Sequence, residues 1–347
     1  MHTTDKSLVR RLPSYDKGLT VVLLFAVAAI ITSCANNPEA PSGEEPLVEV
    51  PSGFPAQTFS ADNIPNAERV ALGKLLFFSK ELSRTRTVSC ATCHEPSKAF
   101  TDGKSVSIGV EGRSGTRNAP SLANVGYSPY FLREGGVPTL EMQVLVPVQE
   151  HNEFDMNMLD VVDRLLKDSL IVAMSRAAYG RDIDAFTITR SIASFERTIV
   201  SGRSRADLNQ LTESEKRGRS LFMSDRTSCS SCHGGFAFTT HVFANNGAYA
   251  TYNDPGRKRL TFESKDSNVF KVPSLRNVGV TAPYMHNGGI ATIEEVVDVY
   301  NRGGFPHPNK DGRIKPLGLT QGERADLVAF LQSLTDDSFL TNKRFQQ

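Results

Sequence analysis

Two pentapeptides constrain this chain more than anything else in it: Cys90-Ala-Thr-Cys93-His94 and Cys229-Ser-Ser-Cys232-His233. Together they hold four of the five cysteines in 347 residues. A Cys-x-x-Cys-His string is the attachment signature of haem c: two sulfurs form thioethers to the porphyrin and the histidine takes the proximal face of the iron. A zinc ribbon also uses Cys-x-x-Cys pairs, but spaces them about 15–20 residues apart. Here the second pair begins 139 positions after the first. A thioredoxin-like redox pair would sit near a βαβ pattern, and the sequence has none. Two covalent haem groups are therefore predicted, one on Cys90, Cys93 and His94, the other on Cys229, Cys232 and His233.

The fifth cysteine bears on location. Lys6, Arg10, Arg11 and Lys17 precede an apolar run from Leu19 to Ile31, and Ile31-Thr-Ser-Cys34 closes it. A basic start, a short apolar stretch and small residues at the cut make an export signal too short to span a membrane. The tetrapeptide looks like a bacterial lipobox. That predicts a signal peptide over 1–33, lipid on Cys34 and a periplasmic, membrane-anchored lipoprotein; an ordinary signal peptide with an incidental cysteine is the alternative. Export agrees with haem c attachment, which takes place outside the cytoplasm. Asn36 to about Gln57 is rich in Pro, Glu, Ser and Gly, has no core of its own and reads as a flexible tether over 34–60. A net charge of +1 gives no global basic field, so nucleic acid is not an expected partner.

The remaining chain is written twice. Gly73–Ser79 before the first motif matches Gly218–Ser224 before the second, and Ala119–Gly126 matches Val272–Gly279 after them. Tyr130 and Tyr284, Gly135-Gly136 and Gly288-Gly289, and Thr139-Leu-Glu and Thr292-Ile-Glu follow in the same order. A repeat of about 150 residues is a duplicated domain and not a solenoid unit. Helical periodicity dominates. Capping boxes at Thr292-x-x-Glu295 and Thr320-x-x-Glu323 open amphipathic helices, and residues 158–178 and 184–200 carry the same period. Residues 234–283 read as loop around the second haem, and no segment alternates as a long strand would. The fold class is mostly α: two cytochrome c-like domains, 61–205 and 206–347, each with one haem.

Setting the repeats in register puts Pro147 opposite Tyr300, 153 positions apart like Ala119 and Val272. A phenolate can ligate iron, whereas proline has no side-chain donor. The second haem is then closed by Tyr300 and the first is open to a small oxidant. Met285, His286 and His307 compete with Tyr300 for the second iron, and Tyr300 can also be a plain core tyrosine. Gln143 lies one helical turn before Pro147, and Glu153 six residues after it. A carboxylate there can take a proton from hydrogen peroxide and return it to the leaving oxygen, and an amide can hold the peroxide.

From Ala61 to about Thr335 the chain resembles the bacterial dihaem cytochrome c peroxidases and their relative MauG, the maturase that forms a tryptophan-derived quinone in another protein. The matching strings are the two haem motifs, Arg117–Ser121, Phe270–Asn277, Pro283–Gly288 and Glu294–Tyr300. The resemblance implies that Gln143 and Glu153 are the catalytic residues and that calcium sits between the haems on Asn118, Thr281 and Pro283, the latter two through backbone carbonyls. It implies peroxide reduction at the first haem, with electrons reaching it through the second from a small exported cytochrome c or cupredoxin. Family members are often dimers. Ordinary members place methionine on the second iron and MauG places tyrosine, so Tyr300 is MauG-like and makes oxidation of a partner protein's side chains the alternative. A dihaem electron carrier without enzymatic activity is a third reading. No histidine lies between His94 and His151, so the cap that many peroxidases place on the first haem is not expected. The chain has no tryptophan, and spacing sets Arg133 at or near the family's inter-haem tryptophan.

Overall fold

The computed structural model describes residues 46–347, which form one unit. The signal peptide over 1–33 and Cys34 lie outside the described residues. Among those described, no helix is long and apolar enough to cross a membrane. The helices are α1 (Ala67–Phe78), α2 (Cys90–Cys93), α3 (Leu140–Gln143), α4 (Leu145–Gln149), α5 (Met158–Leu165), α6 (Ser169–Tyr179), α7 (Ala185–Arg197), α8 (Glu213–Phe222), α9 (Lys258–Thr261), α10 (Ile293–Asn301), α11 (Gln321–Gln332) and α12 (Asp337–Leu340). Extended structure is limited to β1 (Phe243–Ala244) paired antiparallel with β2 (Phe270–Lys271). The capping boxes at Thr292 and Thr320 open α10 and α11 as their spacing predicts. The periodic stretch 158–178 is not one helix: Asp168 accepts from Leu170 N and Ile171 N and starts α6 anew.

Two helix pairs carry the two cores. In the first, α1 crosses α7 so closely that a Cβ on Gly73 would sit 1.8 Å from the Ser191 carbonyl oxygen. In the second, α8 crosses α11, and a Cβ on Gly218 would sit 1.9 Å from the Asp326 carbonyl oxygen. The aromatic packing repeats as well. Phe77 lies 5.2 Å from Phe195 and 6.1 Å from Phe100; Phe222 lies 5.2 Å from Phe330 and 6.2 Å from Phe238. The bridges Phe131↔Val137 and Tyr284↔Ile290 stand 153 positions apart, as do the left-handed residues Asn124 and Asn277.

The halves are joined by a buried polar hub. Asn124 exchanges two hydrogen bonds with Ser201, through Nδ2 to Ser201 O (2.9 Å) and Ser201 N to Oδ1 (3.0 Å). Asn277 Nδ2 donates to Ser201 Oγ at 3.0 Å, and Asp336 N donates to Asn277 Oδ1 at 2.9 Å. The Asp336 carboxylate accepts from Gly202 N (3.0 Å), Arg203 N (2.9 Å) and Ser201 Oγ (3.2 Å).

Both ends of the described chain cross between halves. Phe339 and Phe345, beyond α11, join the first core at 5.8 and 5.7 Å from Phe100. Residues 46–60, read as tether, are held against the body. Gln57 is buried and its Nε2 donates to Arg197 O at 2.9 Å, and Phe54 packs 4.7 Å from Phe236 under the Arg276 guanidinium. One aromatic anchor and a few side-chain hydrogen bonds fix a segment whose composition alone suggests mobility.

The close helix crossings give a stability prediction. Gly73→Ala and Gly218→Ala should each cost about 1–3 kcal/mol by forcing backbones apart. A Cβ added at Gly322 would meet nothing within 4 Å, so Gly322→Ala should instead be neutral or stabilising. Urea midpoints of the three variants, with m compared, check the contrast.

Candidate functional site

Each haem motif places its histidine by the same device. His94 Nδ1 lies 2.9 Å from Phe100 O, and His233 Nδ1 lies 3.1 Å from Pro273 O and 3.3 Å from Phe238 O. A carbonyl only accepts, so Nδ1 carries the proton and Nε2 keeps its lone pair. Burial holds both rings neutral, lowering the pKa of His94 and taking that of His233 to about 4. Phe100 and Phe238 adopt left-handed backbone (φ 59° and 48°), which turns their carbonyls back toward the imidazoles. Cys90, Cys93, Cys229 and Cys232 form no disulfide. Paired free thiols beside a neutral imidazole with one free nitrogen fit haem at both motifs.

The helix after each repeat differs in one decisive respect. α10 runs unbroken from Ile293 to Asn301, whereas its counterpart is split at Val144 into α3 and α4. Pro147 has no N–H for the carbonyl of Gln143, which is the bond a continuous helix needs there. Thr139 still caps α3 through Met142 N at 3.2 Å, as Thr292 caps α10. Proline therefore leaves the first half without a side-chain donor at this position and without one helical hydrogen bond.

Glu153 sits in the turn that follows. Phe154 N donates to Pro147 O at 3.2 Å, and Val110 N to Glu153 O at 2.9 Å, which ties that turn to the broken helix. Gly109 makes the approach possible: a Cβ there would lie 2.1 Å from Asn152 O. The carboxyl is raised to about 7 by burial first and the Glu150 charge second. Its charge acts on both Cys90 and Cys93. Gln143 ends α3, half-buried, one turn from Pro147.

Tyr300 lies in the last turn of α10, within electrostatic reach of Cys229 and Cys232. Burial pushes its phenol up to about 12, while a hydrogen bond from Asn246 Nδ2 at 3.1 Å opposes the shift. The same Nδ2 lies 3.4 Å from Met285 Sδ, so both candidate ligands occupy one locality. His286 and His307 are engaged elsewhere. His286 stacks on Phe270 at 4.3 Å, and His307 Nε2 pairs with Asn268 Oδ1 at 3.0 Å.

Asn118 is tied to the loop carrying Thr281 and Pro283, because its N–H donates to His286 O at 2.9 Å. Its oxygens are nevertheless in use. Arg133 Nη2 donates to Asn118 O at 2.7 Å and to Asn118 Oδ1 at 3.1 Å. Calcium needs such oxygens at about 2.3–2.6 Å with their lone pairs free. With a guanidinium in front of them, the arrangement does not fit calcium at Asn118.

Two residues of this region escaped the sequence reading. Asn246 stands in a stretch read only as loop, and nothing in its neighbours marks it. Glu196, in α7, is buried with Oε2 lacking any hydrogen bond partner; burial raises it to about 8, and its charge reaches Cys90. Its neighbours Phe195 and Arg197 give no hint of it.

Known proteins carry the same organisation. The family described as di-haem cytochrome c peroxidase matches residues 67–216. The methylamine utilization protein MauG of Methylorubrum extorquens is 37% identical over 277 residues, covering 77% of this chain and 78% of its own. The chain belongs to the di-haem cytochrome c peroxidase family. A cytochrome c551 peroxidase of Nitrosomonas europaea is 31% identical over 301 residues, 82% of this chain and 84% of that protein. A crystal structure of a MauG-like protein associated with microbial copper homeostasis superposes with a TM-score of 0.81 at 34% identity, covering 86% of this chain and 97% of that one. The di-haem peroxidase family is one of oxidoreductases holding two haems, and it includes both peroxidases and MauG proteins.

Two variants probe the sites. Glu153→Gln should slow peroxide turnover by about 10²–10⁴ with both haems attached. Because accepting a proton requires the carboxylate, wild-type turnover should rise as pH climbs through about 7, and the variant should lose that inflection. Unchanged turnover removes Glu153 from the chemistry. Tyr300→Phe should shift the low-spin haem spectrum and potential; a response confined to the high-spin signal would assign the ligand elsewhere.

Proposed function

We propose that this protein reduces hydrogen peroxide to water at the haem held by Cys90, Cys93 and His94, with two electrons arriving by way of the haem on Cys229, Cys232 and His233. The observation that carries this reading is a carboxyl group with a pKa of about 7 in a turn whose next residue, Phe154, donates its N–H to the carbonyl of Pro147. Haem supplies a redox-active iron for O–O cleavage. The chain supplies the rest. Glu153 takes the proton from one peroxide oxygen and delivers it to the other, which leaves as water. The Gln143 amide, one turn from Pro147, holds the peroxide by hydrogen bonding. Two protons and two electrons per peroxide yield two waters.

Tyr300 supports closure of the second iron by a phenolate, which favours the ferric state and lowers its potential relative to methionine. That feature, together with the likeness to MauG, supports a second reading in which oxidising equivalents are drawn from side chains of a partner protein. The repeated packing supports a domain division of 61–205 and 206–347, modified by the crossing of Phe339 and Phe345 into the first core. The amino-terminal pattern ending in Cys34 supports export to the periplasm with a lipid anchor.

The electron source separates the readings. With reduced cytochrome c or cupredoxin present, peroxide loss followed by absorbance should be fast, and donor oxidation should match it at two electrons per peroxide. Peroxide loss indifferent to either donor, with oxidised residues appearing by mass spectrometry in a co-purifying protein, would favour the second reading. A diferric spectrum without any high-spin signal would remove both.

A further inference from the structure

The seam between the two halves contains a positive charge that belongs to the chain itself. Arg133 reaches from the first half to both oxygens of Asn118 with a single nitrogen, Nη2. Its own backbone carbonyl accepts from Lys271 N at 2.7 Å, so the residue is anchored to β2 of the second half. Asn118 in turn donates its N–H to His286 O and its Nδ2 to Lys104 O, at 2.9 Å each. The residue is thus held by its backbone to the second half and by its side chain to Asn118, and its Nε is buried without a hydrogen bond acceptor.

The charges around it are already assigned. Arg117 is paired with Glu134 and Asp254, and Arg259 with the same Glu134. Burial and the Arg117 charge work against the charged form of Arg133, and both carboxylates favour it. A divalent ion at Asn118 would have to displace the guanidinium or lie beside it, against like-charge repulsion.

We propose that Arg133 is the resident cation of this seam, and that its guanidinium holds Asn118 and the 281–288 loop in place of calcium. Arginine suits the task, because it stays protonated when buried and its fork of donors engages two oxygens at once. The protein is then independent of calcium at the position where the family resemblance implies it. The inference does not depend on which substrate supplies or receives electrons.

Metal content and thermal unfolding of the purified holoprotein decide the matter. After dialysis against EGTA and then calcium-free buffer, the wild-type protein should hold substoichiometric calcium, and its Tm should be the same with calcium or EGTA. Arg133→Gln exposes the Asn118 oxygens and should gain calcium dependence. Its Tm should rise by a few degrees at calcium about a hundredfold above Kd. Arg133→Lys keeps a cation there and should remain indifferent. One tightly held calcium per wild-type chain, with a Tm that falls in EGTA, overturns the proposal, as does an Arg133→Gln variant no more responsive than the parent. Should that variant fail to accumulate, the wild-type calcium content and Tm comparison decide alone.

Discussion

The architecture depends on a buried hydrogen-bonded hub in which the two halves meet. Asn124 and Asn277 occupy equivalent left-handed positions in their repeats, a conformation asparagine tolerates better than most residues. Both reach Ser201, in the segment between α7 and α8, and Asn277 also accepts from the backbone of Asp336. A carboxylate as buried as Asp336 is costly unless its lone pairs are filled, and here two backbone amides and a hydroxyl fill one oxygen while α12 is capped by the other. Packing alone could let such similar cores slide or swap. Directional polar bonds set one relative placement, so the imidazoles, Arg133 and the 281–288 loop come into register.

That near-symmetric frame has one broken equivalence. Position 147 and position 300 occupy the same place in their repeats, yet one carries proline and the other a phenol. Proline also costs the first half one helical hydrogen bond, and the turn that follows holds Glu153 against the same helix. The second half keeps a continuous helix, with Asn246 Nδ2 within reach of both the Tyr300 hydroxyl and the Met285 sulfur. The same family thereby accommodates proteins named for peroxide reduction and proteins named for methylamine utilization.

Much of this was legible in the chain. The two haem motifs, the register of 153 and the caps at Thr292 and Thr320 are local patterns, and local patterns survive in sequence. The structure repeats that register down to the left-handed pair Leu132 and Met285 and the matched bridges. What was hidden is whatever depends on distant partners. Periodicity cannot say which core an apolar residue joins, so the return of Phe339 and Phe345 to Phe100 was not visible. Composition cannot register one well-placed aromatic, so Phe54 and its neighbours read as tether. The hub escaped because Ser201 and Asp336 are ordinary alone and acquire meaning only from the asparagines they face.

The crossing of the carboxyl-terminal segment has a consequence for how the protein is made. Phe100, whose carbonyl orients His94, is covered by residues more than half the length of the polypeptide away. A chain emerging amino end first must leave that layer unfinished until translation and translocation have run their course, since such non-local contacts form late. Residues 337–345 therefore complete the first core late, because their partner Phe100 lies so far away along the chain.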